Sequence, residues 1–149
     1  MKMVKGISLL VSVIMAWILG LGFVRAATDP MDLQALEVIY TSLNSPSQLT
    51  GWKANGGDPC SESWKGVVCQ GSDVVSMNLA YNNLSGSLPY SINDMILINY
   101  LNLSSNSLYQ SIGDVFTNHS DLETLDLSFN KFSGDLPPSL SSLPKLSTL

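Results

Sequence analysis

The stretch VVSMNLAYNNLSGSLP, Val74 to Pro89, decides the fold. Its Val74, Met77, Leu79, Asn82, Leu84, Gly86, Leu88 and Pro89, with Ile92 and Met95 behind them, return at a fixed distance in LETLDLSFNKFSGDLP, Leu122 to Pro137. Steps of 24 residues from Val74 land on Ile98, Leu122 and Leu146, so the chain reads as coils 74–97, 98–121 and 122–145 with a fourth opening at 146. A fixed period of this size marks a solenoid, in which each coil hides its apolar side only against its neighbours. Apolar residues two apart, such as Leu101 and Leu103, face one side of a short strand. Stacking such strands gives a parallel sheet on the concave face of a short right-handed coil stack. The predicted class is therefore α/β, a solenoid behind a helical, disulfide-linked N-terminal cap.

Asn82, Asn106 and Asn130 fall where each coil leaves its strand, and their amides suit a structural ladder bonding backbone groups of adjacent coils. A catalytic or sugar-binding row is the competing assignment. The second coil departs from the pattern, with Gln110 for the glycine, Gly113 for the proline and His119 for the last leucine, so an irregular convex side is expected there. His119 has no nucleophile beside it in the pattern and reads as a surface or partly buried substitution.

Upstream, Asp29, Pro30 and Asp32 form a helix start, and Leu33, Leu36, Ile39, Tyr40 and Leu43 give one apolar face that ends before Asn44-Ser45-Pro46. Trp52 and Trp64 bracket a glycine-rich segment and read as packing residues of a small cap, spanning 27–73, rather than as ligand-stacking rings. Further out, Lys2 and Lys5 precede the apolar run 7–24, with Val24 and Ala26 at the small-residue positions before a break after residue 26. Residues 1–26 thus read as a secretory signal peptide, the alternative being a membrane anchor. No second apolar run of spanning length follows it, so no membrane span is expected after cleavage. In an oxidising compartment Cys60 and Cys69 default to a disulfide, a closure that contributes about 2–3 kcal/mol on loop entropy. Zinc is the weaker alternative, because two cysteines and the remote His119 do not complete a tetrahedral site.

The leader holds three of the seven basic residues, which leaves four lysines against all twelve acids. Nucleic acid is a poor partner for such a surface. No paired acids, activated nucleophile, metal set or phosphate-cradling glycine loop is visible, so no catalytic residue, metal or cofactor is expected. Recognition must then come from side chains between the strand leucines. Tyr81, Tyr100, Asn102, Thr124, Asp126 and Phe129 are the candidate contacts for a protein or peptide, within a face that also carries Ser76, Asn78, Ala80, Ser104, Ser105 and Ser128. The alternative is a merely solvated face. Sequons at Asn83, Asn102 and Asn118 fit an exported chain, and a glycan on Asn102 would screen the middle of the concave side.

The pattern LxxLxLxxNxLSGxLP resembles the plant-type extracellular leucine-rich repeat. The segment DLQALEVIYTSLNSPSQLTGWKANGGDPCSESWKGVVC resembles the plant N-terminal cap, in detail that of the Strubbelig receptor family of receptor-like kinases. Cap and repeats cover 28–149. The resemblance implies a cell-surface ectodomain acting through a protein or peptide ligand or a co-receptor ectodomain. In full-length members it is followed by a proline-rich stretch, a membrane span and a kinase, none of which maps onto a residue here. Family arrays are longer, which implies lost repeats and a truncated end. Coil three is expected to show Leu122, Leu125, Leu127, Leu140 and Leu143 at an edge largely uncovered by the aborted fourth coil. The alternative function is an independent secreted recognition or inhibitor protein resembling the polygalacturonase-inhibiting proteins, although their longer array and C-terminal cap are missing.

Overall fold

The computed structural model describes residues 27–149; the leader assigned to 1–26 lies outside them. Helix α1 spans Pro30–Ser42. Asp29 starts it by accepting from the amides of Met31 at 2.9 Å and Asp32 at 3.3 Å. It ends at Leu43, beyond which Asn44 and Ser45 take positive φ. Leu36, Ile39 and Leu43 are buried, while Leu33 and Tyr40 are half-buried against the core. A short helix α2, Pro59–Glu62, leads into strand β1, Val67–Gln70, and Cys60 joins Cys69 across them with Cα atoms 5.5 Å apart. Trp52 and Trp64 stack at 5.4 Å between centroids, both buried, and the Trp52 indole donates to the Lys65 carbonyl at 2.9 Å.

Strand β1 pairs antiparallel with β2, Asp73–Asn78. From there the sheet runs parallel through β4, Tyr100–Asn102, to β6, Thr124–Asp126, with Met77, Leu101 and Leu125 in register and fully buried. Along the other edge of the stack run the short parallel strands β3, Ser85–Gly86, β5, Ser107–Gln110, and β7, Lys131–Phe132. The convex side carries a 3-10 helix, Tyr90–Asp94, in the first coil and helix α3, Pro138–Ser141, in the third. Between them, 111–121 has neither helix nor strand. There Ile112, Val115, Phe116 and His119 fill the interior. His119, expected at the surface or partly buried, is wholly buried, held by its Nε2 at 3.0 Å from the Ile92 carbonyl.

Each ladder asparagine works in two directions. Asn106 Nδ2 donates to the Leu79 carbonyl of the coil before and to Leu103 of its own, each at 2.9 Å. Its Oδ1 accepts from the amides of Asn82 and Leu84 at 3.1 and 2.9 Å. Asn130 repeats this on Leu103 and Leu108. Asn82 has only the cap before it, and its Oδ1 takes the Lys65 ammonium, which also donates to the Gln48 carbonyl at 3.0 Å.

The cap is fused to the first coil. Helix α1 packs on the 3-10 helix, and Asp32 accepts from the Val74 amide at 2.6 Å. Gly86 lies so close to α1 that a Cβ there would stand 2.1 Å from the Ser42 carbonyl oxygen, and its φ is +121°. Only glycine meets both conditions. At the other side the start of the fourth coil covers part of the edge. Residues 147–148 run along β6, with the Leu125 amide donating to the Thr148 carbonyl at 3.0 Å, so Leu122, Leu125 and Leu140 are buried and Leu127 and Leu143 half-exposed.

Candidate recognition surface

On the open side of the parallel sheet the outward residues form two rows, Ser76–Tyr100–Thr124 and Asn78–Asn102–Asp126. The second row is locked by its own turns. The side-chain oxygens of Asn78, Asn102 and Asp126 accept from the amides of Ala80, Ser104 and Ser128 at 3.2, 2.9 and 3.0 Å. Asn102 Nδ2 donates to the Tyr100 hydroxyl at 3.2 Å, which fixes that ring's tip over the sheet. Tyr100, Asn102, Thr124 and Asp126 are all half-buried, so they present edges rather than whole side chains. Ser104, counted with this face from the alternation, is buried.

Beyond the strands the chain turns through a left-handed residue at the same point of each coil: Tyr81, Ser105 and Phe129, with φ of 58°, 56° and 53°. That backbone swings the side chain clear of the coil, and Tyr81 and Phe129 are both 82% exposed. Parallel strands repeat at about 4.8 Å, so the backbones that carry the two rings lie about 10 Å apart with the small Ser105 between them. The six candidate residues therefore divide into a polar floor on β4 and β6 and a pair of aromatic posts at one rim.

Asp126 is the one charged side chain in the two rows. The Ser128 hydroxyl donates to it at 2.6 Å, and that bond, with the Ser128 amide, holds its carboxyl below the ordinary range and keeps it ionised. Of the sequons, Asn83 and Asn118 are exposed, whereas the Asn102 amide is engaged by its neighbours. Among the described residues no group of three or more His, Cys, Asp or Glu side chains could hold a metal ion, and no helix is long and apolar enough to cross a membrane.

Two residues with a decided role went unread in the sequence. Lys65 closes the asparagine ladder, and its signal was a lone cation between the cysteines. Asp32 was read only as part of a helix start, yet it is 6% exposed and sits in the seam between cap and coil. Desolvation, with Asp29 and Asp73 nearby, raises its pKa to about 6 against the opposing pull of the Val74 amide.

Residues 29–70 match the leucine rich repeat N-terminal domain family, and 73–95 and 121–143 match the Leucine Rich Repeat family. Among curated proteins, the Strubbelig-receptor family 5 protein of Arabidopsis thaliana is 48% identical over 88 residues, which are 59% of this chain and 13% of that protein. The chain thus spans a small part of that relative's length. Among solved structures, the leucine-rich-repeat ectodomain of the receptor kinase SOBIR1 from Arabidopsis thaliana superposes with a TM-score of 0.69 at 30% identity, covering 83% of this chain and 67% of that one. The Arabidopsis receptor kinase HAESA, solved in complex with the peptide hormone IDA and the co-receptor SERK1, gives 0.70 at 32% identity over 81% of this chain and 21% of its own. Capped by a plant-type N-terminal domain and built of in-register coils, this chain belongs to the plant leucine-rich-repeat receptor ectodomains, with the Strubbelig receptors as its relatives.

Proposed function

We propose that this chain is the extracellular recognition region of a Strubbelig-like receptor, exported by its leader, without catalytic chemistry of its own, and binding a peptide or a co-receptor ectodomain on its concave face. The observation that carries this is the pair of exposed rings, Tyr81 and Phe129, posted on equivalent left-handed residues either side of Ser105. A soluble surface gains nothing by holding two large apolar side chains out on strained backbone, whereas aromatic anchors at fixed spacing are what an interface core uses. The floor beneath them is neutral apart from Asp126, which favours a partner with backbone amides or one basic group to offer. The HAESA complex supports the reading, because a related solenoid there holds a peptide hormone and a co-receptor.

The test is co-purification of the secreted chain with a panel of plant leucine-rich-repeat ectodomains, followed by titration of any partner found. Tyr81→Ala with Phe129→Ala is expected to weaken binding by about thirtyfold or more, at about 1 kcal/mol or above for each anchor. Binding unaffected by the double substitution removes this face from consideration.

A further inference from the structure

On the convex side, the helix-free run of the second coil and α3 of the third leave a cavity of about 560 Å³ between them. Two buried atoms on its lining residues have no hydrogen-bond partner among the described residues: Nδ1 of His119 and Oγ of Ser139. His119 is 0% exposed and Ser139 8%. Because the Ile92 carbonyl can only accept, His119 Nε2, 3.0 Å from it, carries the proton, and the ring also meets the Phe116 backbone. Burial pushes the ring's pKa down and keeps it neutral. The Ser139 hydroxyl has both a proton to give and lone pairs to fill. Groups of this kind are costly to leave unmatched.

Those two atoms each have less than 1 Å² of accessible surface, and it is the rest of the lining that says what chemistry the cavity would hold. It includes no lysine or arginine, and its single carboxylate, Asp114, already accepts from the Ser139 amide at 3.1 Å. A charged ligand therefore finds no free counter-charge. What remains is a mixture of hydroxyls, such as Ser142, with the apolar surfaces of Leu143 and Pro144. That combination suits a neutral ring with hydroxyls on its edge and C–H groups on its face, a sugar. The sequon Asn118-His119-Ser120 supplies one by attachment, since Asn118 is exposed, lines the same cavity, and its Nδ2 is held only by a 3.4 Å contact to the Asn93 carbonyl.

We propose that Asn118 carries an N-linked oligosaccharide whose first N-acetylglucosamine seats in this cavity and braces the third coil against the irregular second. In the attachment step the Asn118 amide nitrogen bonds to the sugar's C1 and loses one proton, while the bond from C1 to a lipid diphosphate donor breaks and the diphosphate leaves as an anion. Tethering makes the docking intramolecular, so a weak contact suffices. The inference rests on the export reading above.

The test uses the full chain from a eukaryotic secretory host. Glycopeptide mapping is expected to find Asn118 modified. Amide exchange over 138–144 is expected to quicken by about threefold or more in both Asn118→Gln and Ser120→Ala, because an unbraced segment opens more often. Trimming the glycan to its first sugar should leave exchange slow, and Asn83→Gln should not change it. Sugar on Asn83 with Asn118 bare overturns the proposal while leaving export intact. So does a modified Asn118 whose removal leaves exchange at 138–144 unaltered. No sugar on any sequon overturns the export reading and this proposal together.

Discussion

Gln110 occupies the place that Gly86 and Gly134 hold in the other coils, and it adopts the same left-handed turn, with φ of +69°. A side chain there costs about 1–2 kcal/mol relative to glycine, partly offset by glycine's greater loss of freedom on folding. Gln110→Gly is accordingly expected to stabilise the chain by about 0.5–1 kcal/mol, read as a rise in denaturant midpoint at unchanged slope. Asp32 works through protons. Its folded pKa, near 6, lies above the ordinary 3.8, so the folded chain binds a proton more readily than the unfolded one and gains stability as pH falls from about 6 towards 3.8. Asp58, held down to about 2 chiefly by the Thr28 hydroxyl, acts oppositely, and only below 3.8. Buried His119, whose pKa is pushed down, opposes this between pH 7 and pH 5, so the Asp32 contribution is read as an offset: the melting temperature of Asp32→Asn, which keeps an oxygen for the Val74 amide, should be a few degrees lower relative to the wild-type chain at pH 5 than at pH 7. An equal offset between the two chains at both pH values would contradict this.

The elements were legible in proportion to how local their causes are. Helix α1 follows from Asp29, Pro30 and a run of apolar spacings, and the strands from Met77, Leu101 and Leu125 at one fixed step, because each signal lies within a few residues or one period. The burial of His119 and Asp32, and the Lys65 bond to Asn82, depend on partners 27, 42 and 17 residues away that no periodicity announces. The polar floor was readable from alternation, but its division from the two aromatic posts depends on left-handed backbone that a Tyr or a Phe does not advertise. Strand position also sets the cost of damage. Leu101 is covered by a coil on each side and Leu127 is half-exposed. Leu101→Ala should cost about 2–5 kcal/mol and Leu127→Ala clearly less, measured by chemical unfolding of the two variants side by side.

At the scale of the molecule, stability passes from coil to coil through the shared sheet and the asparagine ladder, as in any quasi-one-dimensional array. The cap at 27–73 and the coils that the 24-residue period opens at 74 are joined by contacts across the line between them. Strand β1 takes its partner β2 from across that line, α1 rests on the 3-10 helix of the first coil, and Asp32 accepts from Val74 itself. Residues 27–73 alone are expected to show no cooperative thermal transition by circular dichroism; a sharp melt would mean that the cap stands without the first coil. The close seating of Gly86 on Ser42 extends the point to protein engineering. Anyone transplanting this cap onto a foreign scaffold should carry the graft junction past Met95, because a donor piece ending at the disulfide would arrive without the surface it was shaped to sit on.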